Sequence, residues 1–200
     1  EGLIGEVDAF LTVNSRIRQQ WGAPLFQTVY NEYADSFAFF VYPDDLARHD
    51  GLGFRTKFAV QASMGETPGE MMTARVQNLL VTVRYARDFK WLQKLVAFRH
   101  ANRRFFQRGR RLRDPRVVRP GAMKVEWAIA KSGQGHRIKT MPPVVASRWR
   151  APDGDVGIAL INPTLEPQQV TLHIVDDPDD EPRQVRVTVE AGDCLMVEGE

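Results

Sequence analysis

Apolar residues recur at helical spacing through the first half of the chain and alternate with polar residues through much of the second. In residues 3–13 they fall at positions 3, 4, 7, 10 and 11, one face of a helix. Pro24 to Tyr30 is short, β-branched and aromatic, and reads as a buried strand. Residues 54–63 place Phe54, Phe58 and Ala62 at i, i+4 and i+8, which predicts a second helix. The run Gly65 to Gly69 breaks it. Thr67, Pro68 and Glu70 form a capping-box signature for a helix from Glu70 to Arg87, with Met72, Val76, Leu79, Leu80 and Val83 on one face. A further helix from Asp88 to about Arg108 carries Trp91, Leu92, Leu95, Val96, Phe98 and Phe105, and Gly109 stops it.

The pattern changes near residue 114. Val144 to Arg150 and Val156 to Ile161 flank Pro152-Asp153-Gly154, a turn in which proline presets φ and glycine accepts a positive φ. Val170, Leu172 and Ile174 alternate with polar residues, as do Val185, Val187 and Val189, with Asp176 to Glu181 as the acidic loop between them. Cys194 to Val197 forms a last strand. Short strands at this spacing predict a small antiparallel sandwich, so the chain reads as α+β.

Composition narrows the class. With 43% hydrophobic residues and Lys+Arg 27 against Asp+Glu 25, the chain can bury a core and is not disordered. No apolar run reaches the ~18 residues of a membrane span. A single cysteine, Cys194, excludes an internal disulfide framework and fits a reducing, cytoplasmic setting. The sequence opens on Glu1 without a secretory signal pattern and reads as a piece of a longer protein.

Few residues have the spacing that chemistry requires. Tyr30-Asn31-Glu32-Tyr33 follows the expected strand, where β/α barrels build their sites, although the same residues also suit a polar loop. Glu66 lies between two helices, able either to enter a site or to favour the next helix N-terminus. Nine arginines between Arg99 and Arg119 are interleaved with Phe105 and Phe106. Near-neutral net charge and the absence of a nucleic-acid-binding motif speak against nucleic acid. Ser63 lacks the nucleophile elbow, Ser132-Gly133-Gln134-Gly135-His136 lacks the lysine of a phosphate loop, and the four histidines show no metal-ligand spacing. No metal or other cofactor is expected. Trp127 and Trp149 suit a core, or else a sugar platform.

Three runs carry a resemblance: Pro24-Leu25-Phe26-Gln27-Thr28-Val29-Tyr30, Phe98 to Phe106, and Pro142 to Gly154 leading into Val156 to Pro163. Together they resemble the C-terminal part of bacterial glycoside-hydrolase-like proteins of a domain-of-unknown-function family, in which a (β/α)8 barrel is followed by a β-sandwich. The resemblance implies barrel-end elements over residues 1–113, mostly helical, and an accessory sandwich over 114–200. It implies a carbohydrate substrate and paired-carboxylate chemistry in the parent protein, with the carboxyl groups about 5–5.5 Å apart for retention or ~6.5–9.5 Å for inversion. On that basis Glu1 and Glu32 are the acidic candidates, and Tyr30, Asn31 and Glu66 the groups facing sugar. The chain alone is expected to be inactive and to self-associate through unpaired barrel edges.

The alternative is a non-catalytic carbohydrate-binding or scaffolding protein. It requires an exposed Trp127 or Trp149.

Overall fold

The computed structural model describes residues 9–11, 29, 35–37, 41–68, 74–129, 135–176, 179 and 181–199. Two short strands come first, β1 (Ala9–Leu11) and β2 (Asp35–Phe37), paired in parallel with Ala9 opposite Asp35. Residues 9–11, the described part of the expected helix over 3–13, are therefore a strand. Parallel strands are covered on both faces and lose the alternation that marks a strand in sequence. Val29, the one described residue of the segment 24–30, is helical and 55% exposed, against the expected buried strand.

Helices follow. Pro43 opens α1 (Pro43–Ala47), and the Tyr42 backbone N–H donates to Asp45 Oδ2 at 2.8 Å, closing its first turn. His49, Asp50 and Gly51 then run through three left-handed positions, with φ of 45°, 56° and 74°. A Cβ on Gly51 would lie 2.5 Å from Asp88 Oδ1, so only glycine fits there. From this turn rises α2 (Leu52–Ser63), two residues longer than its periodicity predicts.

The next helix is shorter than expected. It is described as α3 (Ala74–Leu80), and it ends where the Thr82 N–H and hydroxyl both bond the Leu79 carbonyl. A 3-10 turn over Val83–Tyr85 follows, and Val83, expected on the apolar face, is 94% exposed. The expected helix from 88 to 108 begins earlier and is split into α4 (Ala86–Ala101) and α5 (Arg103–Phe106). At the break the Asn102 side-chain amide donates to Phe98 O at 2.9 Å. Gly109 is the stop that was expected: a Cβ there would lie 2.2 Å from Phe105 O.

The rest is antiparallel. Two short strands, β3 (Arg110–Arg111) and β4 (Arg116–Arg119), take up four arginines of the run. The hairpin of β5 (Met123–Ile129) and β6 (Gly135–Met141) was not anticipated. The remaining strands match the sequence expectation: β7 (Val145–Arg150), β8 (Val156–Ile161), β9 (Gln168–Ile174), β10 (Arg183–Val189) and β11 (Cys194–Glu198). One sheet has the order β11-β8-β7-β3 and another β10-β9-β4. The β7–β8 turn forms as read, with Gly154 at φ 96° and the Ala151 N–H donating to Asp155 O at 2.8 Å.

The apolar clusters explain why β8 reads as the unbroken run Val156-Gly157-Ile158-Ala159-Leu160-Ile161. Ile158 and Leu160 pack with Val170, Leu172, Ile174 and Val189 from the other sheet. Ala159 packs with Phe105, Phe106 and Trp149, and Ile161 joins the cluster around Phe54, Phe58 and Leu95. β8 is thus covered on both faces. Asn162, just beyond it, is fully buried. Its amide donates to the carbonyls of Glu166, Val189 and Glu190, and its Oδ1 accepts from the Thr164 N–H and hydroxyl. The chain is mixed α+β, with most of its strand pairing antiparallel.

Candidate functional site

Glu1, Tyr30, Asn31 and Glu32 lie outside the described residues. Glu66 is described and is 0% exposed, in the turn that ends α2. Its neighbour Gly65 offers its carbonyl to the buried Arg99, at 2.7 Å from Nη2. In this conformation Glu66 meets no open surface.

The polar chemistry instead gathers around α2 and the β5–β6 hairpin. Phe54 and Phe58 pack edge to face on the helix, with ring centroids 4.9 Å apart. The same helix also carries Arg55, Thr56, Lys57 and Gln61, and all four are buried too. Burial of such groups requires partners. Arg55 pairs with Asp88 and donates to the carbonyls of Asp50 and Pro163. Lys57 Nζ lies 2.7 Å from Asp45 Oδ2 and 3.0 Å from Ala128 O. Burial holds its ammonium below the usual lysine range, while Asp45 opposes that shift. Trp127 donates its indole N–H to Thr56 Oγ1 at 2.9 Å.

At the rim of this region Glu126 forms a hub. Arg48 Nη1 donates to its Oε1 at 2.6 Å, and His49 Nε2 lies 2.7 Å from its Oε2. The His136 ring spans two carboxylates, with Nδ1 3.5 Å from Glu126 Oε1 and Nε2 3.2 Å from Asp44 Oδ2. The hydrogen bond from His49, with the charges of Arg48 and His136, holds the Glu126 carboxyl below the usual range. A carboxylate so held is ionised at neutral pH and cannot donate a proton to a leaving group. Asp45 is sealed against Lys57. Neither therefore offers the acid of a paired-carboxylate site. Among the described residues no group of histidine, cysteine and carboxylate side chains fits a metal ion.

Other sequence candidates resolve into structure. Ser63 is buried and donates to Val60 O at 2.8 Å. Burial pushes the Cys194 thiol up to about 12, so it is no nucleophile at neutral pH. Trp127 and Trp149 are 7% and 0% exposed, so neither offers the platform that a sugar could stack on. Among the arginines, Arg104 bonds Asp153, Asp155 and Glu198, and Arg111 bonds Ser63 O and Asp114. Among the described residues, no helix is long and apolar enough to cross a membrane.

The hub was not visible in sequence. His49 and Glu126 are 77 positions apart, and only the hairpin's docking on α1 and α2 unites them. The available signal was the alternation of Val125 and Trp127 with Lys124 and Glu126 ahead of the sequence Ser132-Gly133-Gln134-Gly135. Comparison with protein families, with curated proteins and with solved structures finds no match to this chain.

Proposed function

We propose that this chain is the closing region of a carbohydrate-active hydrolase, the end of a β/α barrel followed by a small β-sandwich. The observation that carries the reading is the parallel pairing of β1 with β2, with residues 12–34 between them. Parallel neighbours need a long crossover and occur almost only in α/β sheets, and a two-stranded sheet is a poor unit by itself. The sandwich half of the reading is supported by the cluster that Ile158 and Leu160 of one sheet share with Val170 and Leu172 of the other.

In this reading Glu1 and Glu32 supply acidic chemistry, and Tyr30 and Asn31 position sugar beyond the strand ends. One carboxyl group protonates the glycosidic oxygen, and its partner attacks C1 or activates water. The described residues serve as the wall and support of that site.

The test is hydrolysis of an aryl-glycoside panel by the full-length gene product and its Glu32→Gln variant. The reading expects turnover by the former, loss of at least about a hundredfold in the variant, and none from the 200-residue chain alone. An inactive full-length product, or an unaffected variant, would overturn it.

A further inference from the structure

The outer face of the β10-β9-β4 sheet carries a shallow groove of about 240 Å³, lined by Val118, Arg119, Thr171, His173, Gln184 and Arg186. Its floor follows from strand register. Thr171 lies opposite Arg186 on one side and Arg119 on the other, and His173 lies opposite Gln184 and Arg116. Strands are spaced about 4.8 Å apart, so the Arg119 and Arg186 backbones stand roughly 10 Å apart across Thr171.

A β-bulge produces this arrangement. Val117 pairs with Leu172, and then Arg119, not Val118, pairs with Thr171. A regular ladder would set Arg119 opposite Val170, whose side chain is buried between the sheets. The extra residue moves the guanidinium into the exposed row that already holds Arg186. Two guanidiniums in one exposed row repel across the strand between them, and an anion seated there relieves the repulsion. Among the described residues neither Arg119 nor Arg186 has an acidic partner, whereas Arg104, Arg111 and Arg148 all do.

We propose that this groove binds the negatively charged groups of an acidic glycan, a chain bearing uronate or sulfate. Two guanidiniums flanking a hydroxyl suit an oxyanion, which each can grip with paired N–H donors. Thr171, His173 and Gln184 add hydrogen-bonding groups for sugar hydroxyls. The lining has no Phe, Tyr or Trp ring for a neutral sugar face or a nucleobase to stack on. Its volume is below the ~300 Å³ of ordinary ligand pockets, which fits one or two units of a longer chain crossing an open sheet. The choice of a glycan rests on the function proposed above; the unpaired arginines do not.

The experiment is calorimetric titration of the 200-residue chain with trigalacturonate, a neutral trisaccharide, inorganic sulfate and oligo-dT. We expect binding of trigalacturonate that weakens with salt and falls at least tenfold in both Arg119→Ala and Arg186→Ala. Arg183→Ala removes a charge from the same strand outside the groove and leaves binding within twofold. Equal binding of the neutral trisaccharide, equal binding of sulfate alone, tighter binding of oligo-dT, or indifference to both groove variants would each overturn the assignment. Glycoside hydrolysis is scored separately, so failure of the catalytic reading leaves this result to stand or fall by itself.

Discussion

Arg55 donates its Nε–H to the carbonyl of Pro163 at 2.7 Å, joining the buried helix α2 to the loop after β8 across 108 positions of sequence. The same guanidinium pairs with Asp88, and both side chains are almost wholly buried. Arg55 therefore holds a helix, a second helix and a loop through one planar group.

Arg55→Leu is expected to destabilise the chain by about 3–5 kcal/mol, because it leaves the Asp88 carboxylate buried without its cation. Urea denaturation measures this. A loss below about 1 kcal/mol would show that Asp88 is relieved by water or another group.

Asp45 and Lys57 form a second buried pair. Asp45→Leu strands the ammonium and should cost about 3–5 kcal/mol, whereas combining it with Lys57→Met should recover most of that loss. A double-mutant cycle reads the difference; additive single and double losses would contradict the coupling.

Acid should weaken the attachment of the β5–β6 hairpin. Glu126 is held below its ordinary value by the hydrogen bond from His49, with Arg48 and His136 adding to it. A carboxyl group whose folded value is depressed contributes stability above its unfolded value, near pH 4.3, and loses it as pH falls through the lower folded value. Thermal midpoints of the wild type should therefore drop from about pH 4.5 downward more steeply than those of Glu126→Gln. Parallel curves for the two proteins would show that the hub contributes nothing.

Trp149 packs edge to face on Phe106 at 5.5 Å, donates its N–H to Ser147 Oγ at 2.9 Å, and lies under Arg111. Trp149→Ala should cost about 3–5 kcal/mol. The same variant, assayed where it remains folded, should bind trigalacturonate as the wild type does, since Trp149 is buried on the far side of its sheet from the groove.

Legibility in the sequence followed burial. Val170, Leu172 and Ile174 alternate with polar residues because one face of β9 is buried and the other open. That pattern can be read directly. The strand at Ala9–Leu11 could not be read in this way, since Leu3, Ile4, Val7, Phe10 and Leu11 fit a helical stripe as well. The early end of α3 depends on Thr82 bonding back to Leu79, a local competition that periodicity does not register. The buried polar residues of α2 were hidden for another reason. Arg55 and Lys57 look like solvent residues until Asp88 and Asp45 are brought against them. Arg119 belonged to a run already singled out, but only the bulge in β4 sets it in a row with Arg186.

The wrapping of α2 has a consequence for synthesis. The helix is complete at Ser63, yet it packs on β5, β7 and β8, and its cluster reaches Ile161 and Cys194. At about 5–20 residues per second, a ribosome takes roughly 5–20 s to travel from Ser63 to Ile161. Throughout that interval Ile161 has yet to close the cluster around Phe54 and Phe58, and Arg55 still lacks the Pro163 carbonyl. A chain ended ahead of β8 would therefore keep the apolar side chains of α2 without the strand that closes their cluster.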